Sequence, residues 1–245
     1  VFLGFSAVSP AFGAAFWGFW AVIFLILTIK RQGKMMTFLA FFMLIVLFPL
    51  IETGRWCWNP NFIPFWLALG IYLYRFDKKP LMFLSGLAMG AVVHHHYLGI
   101  IPVAGWGLVT IVDYWKKDKL KIIMFALGSL IPLSAFVLFD LTHPPGLFLT
   151  RALYFNQTQG RVNFEAIKVF ASYLFGGSWR IYVGGLLTIL LLFVDRFEWK
   201  KLKYLLPVLL QLVVNSFVGS LQSHYFIAGV IFYILWLFVS REKYA

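Results

Sequence analysis

The chain has 245 residues, of which 62% are hydrophobic, 20% aromatic and only 12% charged, with a net charge of +12. An ordinary soluble domain is about 45–50% apolar and about 25% charged, so this composition excludes a water-soluble globule and identifies an integral membrane protein. The single cysteine, Cys57, excludes an internal disulfide and a cysteine-ligated metal cluster, and the positive charge falls in short clusters between apolar runs, which excludes nucleic acid as a partner.

Apolar runs approaching the roughly 20 residues that a membrane helix needs lie at 8–29, 35–51, 62–75, 80–94, 97–115, 121–140, 179–194, 203–219 and 224–240. They predict an all-α, polytopic transmembrane helix bundle of about nine spans, forming a single transmembrane domain over 1–245. Alternate connections carry Lys30, Arg31 and Lys34; Arg75, Lys78 and Lys79; Lys116, Lys117, Lys119 and Lys121; Arg196, Lys200, Lys201 and Lys203; and Arg241 with Lys243. By the positive-inside rule these connections and the C-terminus are cytoplasmic. The first residue is Val rather than Met, no signal peptide is visible, and the topology predicts a further span upstream.

The remaining basic residues, Arg55, Arg151, Arg161, Lys168 and Arg180, fall on the outer side. So do Glu52, Asp140 and Glu165 and all five histidines. A membrane protein that gathers its mixed polar chemistry at one face is expected to work there.

Four stretches carry that chemistry. In "ETGRWCWNPNFIPFW" (52–66), Pro60 predicts a turn, with a helix starting near Asn61 and Asn61 as its N-cap. Asn59 and Asn61 are then polar groups beside a helix N-terminus, and Arg55 can supply a bidentate phosphate contact. Trp56 and Trp58 read as sugar platforms or as interfacial anchors.

In "GLAMGAVVHHHYLG" (86–99), Gly86 and Gly90 form a small-xxx-small helix contact. His94, His95 and His96, followed by Tyr97, end that span. Successive helical residues point about 100° apart, so three adjacent histidines cannot all face one metal while helical. Phosphate or sugar contact, interfacial packing and a metal stay open as their roles.

In "FDLTHPPG" (139–146), Asp140 and His143 share a face if the helix continues, as a base with its partner, a metal pair or a helix-end polar pair. The long outer loop 141–178 adds Arg151 and Arg161 as anion contacts. Within it "FEAIKVFASYLF" places Phe164, Ile167, Phe170 and Leu174 at helical spacing and predicts an interfacial amphipathic helix. The last turn, "LQSHYF" (221–226), contributes His224 and Tyr225.

The ordered runs "GRWCWNPNFIPFWLALGIYLYRF", "LSGLAMGAVVHHHYLGI" and "LIPLSAFVLFDLTHPPGLFLTRALYF" resemble bacterial membrane glycosyltransferases of the GT-C fold, the group that includes protein mannosyltransferases and the aminoarabinose transferase. The resemblance implies transfer of a sugar from a polyprenyl-phosphate donor to a glycan, lipid or protein acceptor at the outer face of a bacterial inner membrane. The donor phosphate would meet Arg55, His94, His95, His96, His143, Arg151, Arg161 and His224. Glu52 and Asp140 are the candidate catalytic carboxylates. The family's usual acidic residue in the first outer loop has no counterpart here, and Asn59 and Asn61 stand where relatives often carry an acid. The resemblance points to no particular cofactor, and a divalent metal stays open. The alternatives are a lipid-linked-sugar transporter or channel, and a histidine-ligated metal or haem protein of the membrane.

Overall fold

A computed structural model describes residues 8–55, 59–143, 164–176, 179–194, 199–217 and 221–239. The described residues are helical, without strands. In chain order the helices are α1 (Val8–Ile29), α2 (Lys34–Val46), α3 (Phe48–Arg55), α4 (Ile63–Tyr74), α5 (Lys79–His95), α6 (Ile100–Tyr114), α7 (Lys119–Thr142), α8 (Glu165–Phe175), α9 (Trp179–Val194), α10 (Trp199–Leu202), α11 (Leu205–Asn215) and α12 (Ile227–Val239). Short 3-10 turns at Lys30–Gln32, Asn59–Phe62, Tyr97–Gly99 and Ser223–Phe226 join several of them.

Each of the nine apolar runs is largely helical where it is described, and nine crossings are not confirmed. Among the described residues three helical stretches are long and apolar enough to cross a membrane: Pro10–Ile29, Tyr97–Tyr114 and Lys119–Thr142. Counting the bent pairs α2–α3 and α8–α9 as one span each gives up to five. The run 35–51 is broken because Pro49 stands at the second position of α3, where the helical ladder restarts after Leu47 in extended conformation. α4, with 12 residues, rises about 18 Å, well short of a hydrocarbon core of about 30 Å.

The core forms around α12. From Ile227 to Trp236 every residue of that helix is buried, as expected of a helix apolar on all sides. Trp106 of α6 packs edge-on against Tyr74 of α4, with centroids 5.0 Å apart, and meets Phe232 of α12 at 5.3 Å. The periphery is equally apolar but exposed: Leu130, Val137 and Leu141 on α7, and Leu186, Leu190 and Phe193 on α9. Such faces suit a lipid environment.

α5 and α7 make the closest helix contact. A Cβ placed on Gly86 would overlap the carbonyl of Phe125, one on Gly90 the carbonyl of Ser129, and one on Gly128 the carbonyl of Phe83. The small-xxx-small motif therefore lets two backbones touch, since nothing larger than hydrogen fits between them.

Polar groups sort to two ends. At the basic end every described carboxylate is engaged: Asp113 accepts from Tyr74 Oη (3.1 Å), Trp199 Nε1 (3.1 Å) and Lys203 Nζ (3.3 Å). Asp77 accepts from Lys121 (2.7 Å) and Tyr114 (2.5 Å), and Asp118 lies 3.7 Å from Lys79. Burial acts to raise the Asp77 carboxyl, but the bonds from Lys121 and Tyr114 outweigh it and hold it below the usual range. The opposite end carries the histidines.

Candidate functional site

The triple histidine lies where α5 stops. His95 is its last residue, and His96 leaves the helix in extended conformation (φ −156°, ψ 119°). The three rings diverge, as 100° steps followed by a break require. His94 is exposed and turns toward α7, with its centroid 5.2 Å from Phe136. His95 turns toward α4, where Trp66 Nε1 donates to its Nε2 at 3.0 Å and Phe62 lies 5.2 Å away. His96 turns toward the start of α12, 5.6 Å from His224 and 5.2 Å from Tyr225 between centroids.

In the His96 cluster two separate stretches of expected site residues meet. His96 stacks on Tyr97 at 5.0 Å, and His224 meets Tyr225 edge-on at 4.5 Å. The Nδ1 of His96 accepts the Leu98 amide at 3.3 Å, so a neutral His96 carries its proton on Nε2. Burial first, and the neighbouring His224 second, push the His96 imidazole down to about 4. Near neutral pH the cluster is therefore an uncharged donor–acceptor surface. Gln211 of α11 donates to the Tyr225 carbonyl at 2.5 Å and ties the cluster to the bundle.

α8 lies against the same end. Ala166, Phe170, Tyr173 and Leu174 are buried, and Phe170 packs onto Phe226 (5.8 Å) and Tyr233 (6.3 Å), whereas Phe164 and Ile167 are exposed, as an interfacial helix leaves part of its apolar face to the membrane. Its Glu165 pairs with Lys168 at 3.2 Å on the exposed side. The packing also places the Tyr173 phenol in electrostatic reach of Glu52 on α3, an approach that nothing in the spacing of either segment signals. Glu52 is half-buried and Arg55, one turn on, is exposed.

Two local expectations are corrected. Asn61 does not cap a helix: α4 starts at Ile63, and its N-cap residue, Phe62, is αR and makes no side-chain bond. The Asn59–Phe62 turn runs directly into the helix, with Pro64 in its first turn, so Asn61 is buried inside the turn rather than poised before it. Asp140 and His143 do not form a matched pair either. Asp140 is buried, while His143 has left the helix, is exposed, stacks on Phe139 at 4.0 Å and bonds the Phe139 carbonyl at 3.1 Å. Helix continuity, which the shared face required, ends at Thr142.

Among the described residues no three His, Cys, Asp or Glu side chains group as metal ligands. Trp56, Trp58, Arg151 and Arg161 lie outside the described residues, as does the side chain of Asn59. Comparison with known proteins finds no matching family model, no matching curated protein and no matching solved structure.

Proposed function

We propose that this chain is part of a membrane glycosyltransferase that moves a sugar from a polyprenyl-phosphate donor to an acceptor at the histidine end of the bundle. The observation that carries this is the His96–Tyr97–His224–Tyr225 cluster, with α8, Glu52 and Arg55 disposed around the same end. The proposal takes that end as the outer face, the basic end and C-terminus as cytoplasmic, the nine apolar runs as the membrane-embedded helices, and a bacterial inner membrane as the setting.

The chemistry is as follows. The phosphate that leaves the sugar gathers negative charge as the glycosidic bond breaks, and preorganised donors near it lower that barrier. His96 offers its Nε2–H and His224 its ring, both set among the rings of Tyr97 and Tyr225. Arg55 supplies the full positive charge. An acceptor hydroxyl loses its proton to a carboxylate as its oxygen attacks the anomeric carbon, and the candidates at this end are Glu52, which is half-buried, and Asp140, which is buried. Tyr97 and Tyr225 provide aromatic faces on which a sugar ring can rest.

The test is transfer of labelled sugar from a polyprenyl-phosphate donor in membranes containing the protein expressed from its whole reading frame. Activity that falls at least tenfold in Glu52→Gln and in His96→Gln supports the proposal. Undiminished transfer in both variants, or none in the parent, rejects it.

A further inference from the structure

The basic end holds a cleft that sugar transfer does not use. It has a volume of about 360 Å³ and is lined by Leu27, Lys30, Tyr72, Arg75 and Phe76. It lies where α1 and α4 both finish. Its size falls at the lower end of the roughly 300–1,000 Å³ of small-ligand clefts.

One of its two cations is held differently from an ordinary surface charge. α1 ends without a basic residue in its last turn, so a cation that meets its final carbonyls must come from another helix. Arg75, the C-cap of α4, supplies it: one guanidinium nitrogen donates to the Leu27 carbonyl at 3.0 Å and to the Thr28 carbonyl. The guanidinium is thereby fixed at the cleft, and binding an anion there requires little further ordering of the side chain. Lys30 follows in the next turn.

Among the described residues that line the cleft none is a carboxylate. The nearest acid in sequence, Asp77, is already held by Lys121 and Tyr114. The remaining walls are apolar and aromatic: Tyr72 packs edge-on against Phe76 at 5.1 Å and against Phe24 at 5.4 Å, and Phe76 is 39% exposed. α1 also exposes Phe16, Phe19 and Trp20 along its length. Positive charge at the rim with an apolar flank running down an exposed membrane helix matches an anionic head group attached to acyl chains.

We infer that this cleft binds the phosphate of an anionic phospholipid, with Lys30 and Arg75 on the phosphate and the acyl chains running past Tyr72 and Phe76. The site is independent of the sugar-transfer proposal and would hold for a transporter or channel equally well.

The experiment is thermal unfolding of the whole protein in detergent, titrated separately with phosphatidylglycerol, phosphatidylcholine and inorganic phosphate. Phosphatidylglycerol is expected to raise the midpoint in a saturable way, with little effect from the other two. Lys30→Gln should weaken that response about tenfold, while Lys117→Gln, a change of the same charge elsewhere on the basic end, should leave it intact. Arg75→Lys retains the charge but loses the clamp on α1 and should also weaken it. Equal responses to the two lipids, or equal losses in the Lys30 and Lys117 variants, would overturn the site. A response to inorganic phosphate matching that to phosphatidylglycerol would overturn the lipid as its ligand.

Discussion

The indole of Trp66 donates its N–H to Nε2 of His95 at 3.0 Å, so the middle histidine of the triplet is an acceptor inside the bundle and not a ligand facing outward. Its neutral form then keeps the proton on Nδ1. Trp66 also stacks parallel to Trp17 of α1 at 6.4 Å, so one bond links α5, α4 and α1 at this end. Replacing Trp66 with Phe removes the donor but keeps an aromatic ring. The loss should be about 1 kcal/mol of stability, read as a lower unfolding midpoint in detergent. His95→Gln, whose amide oxygen can still accept, should cost less than His95→Leu.

The close approach of α5 and α7 allows a sharper test. Gly86→Ala and Gly128→Ala each place a methyl group against backbone of the facing helix, which cannot yield as a side chain tip would. Each should cost about 3 kcal/mol, the upper part of the range for overpacking. Gly107→Ala, at a position with open space around it, should be neutral or slightly stabilising through its better helix propensity. If the three substitutions behave alike, the backbone contact is wrong.

At the basic end, Asp113 holds three donors, Tyr74 from α4, Trp199 from α10 and Lys203 from the turn after α10, whereas Asp118 faces Lys79 at 3.7 Å and caps α7 through the Leu120 amide. Asp113→Ala leaves Lys203 and the Tyr74 hydroxyl without that acceptor and should cost about 2 kcal/mol. Asp118→Ala removes an exposed ion pair of little worth together with the N-cap bond that Asp118 accepts from the Leu120 amide, and should cost about 1 kcal/mol, mostly through the cap. The contrast between the two midpoints is the measurement.

His96 makes stability depend on pH with a defined sign. Its folded value of about 4 lies below the 6.5 of a free imidazole, so between those values the unfolded chain binds more protons than the folded one. Stability is fully present above pH 6.5, falls as pH drops toward 4, and stops falling from this cause below that. His96→Gln should flatten this part of the curve, and a profile unchanged by the substitution would contradict it. Binding of a phosphate beside His96 should raise its value, visible as a downfield shift of the imidazole protons on adding donor.

The helical character of the chain was legible because composition and run length report directly on hydrocarbon burial. The bounds of α1 and α9 match the apolar runs, and the Gly86–Gly90 contact followed from two small residues four apart. The crossing count was not legible, because hydropathy does not register that α4 is too short or that Pro49 bends its segment. At the site, the divergence of the histidines followed from helical geometry. The contact of His96 with His224 and the electrostatic approach of Tyr173 to Glu52 did not, since both join segments far apart in sequence. Asn61 and His143 were misjudged for one reason: each expectation required a helix end one turn or less from where it falls, and such ends are set by packing and prolines together.

The central claim is that donor phosphate sits among His96, Tyr97 and His224. A photoreactive phenylalanine analogue at position 97, and separately at position 76 of the opposite end, allows it to be tested directly with a radiolabelled polyprenyl-phosphate sugar. Light-dependent labelling at position 97, competed by unlabelled donor and reduced at least tenfold by His96→Gln with His224→Gln, is the result expected. Labelling only at position 76, or labelling at 97 that unlabelled donor does not compete, would contradict it.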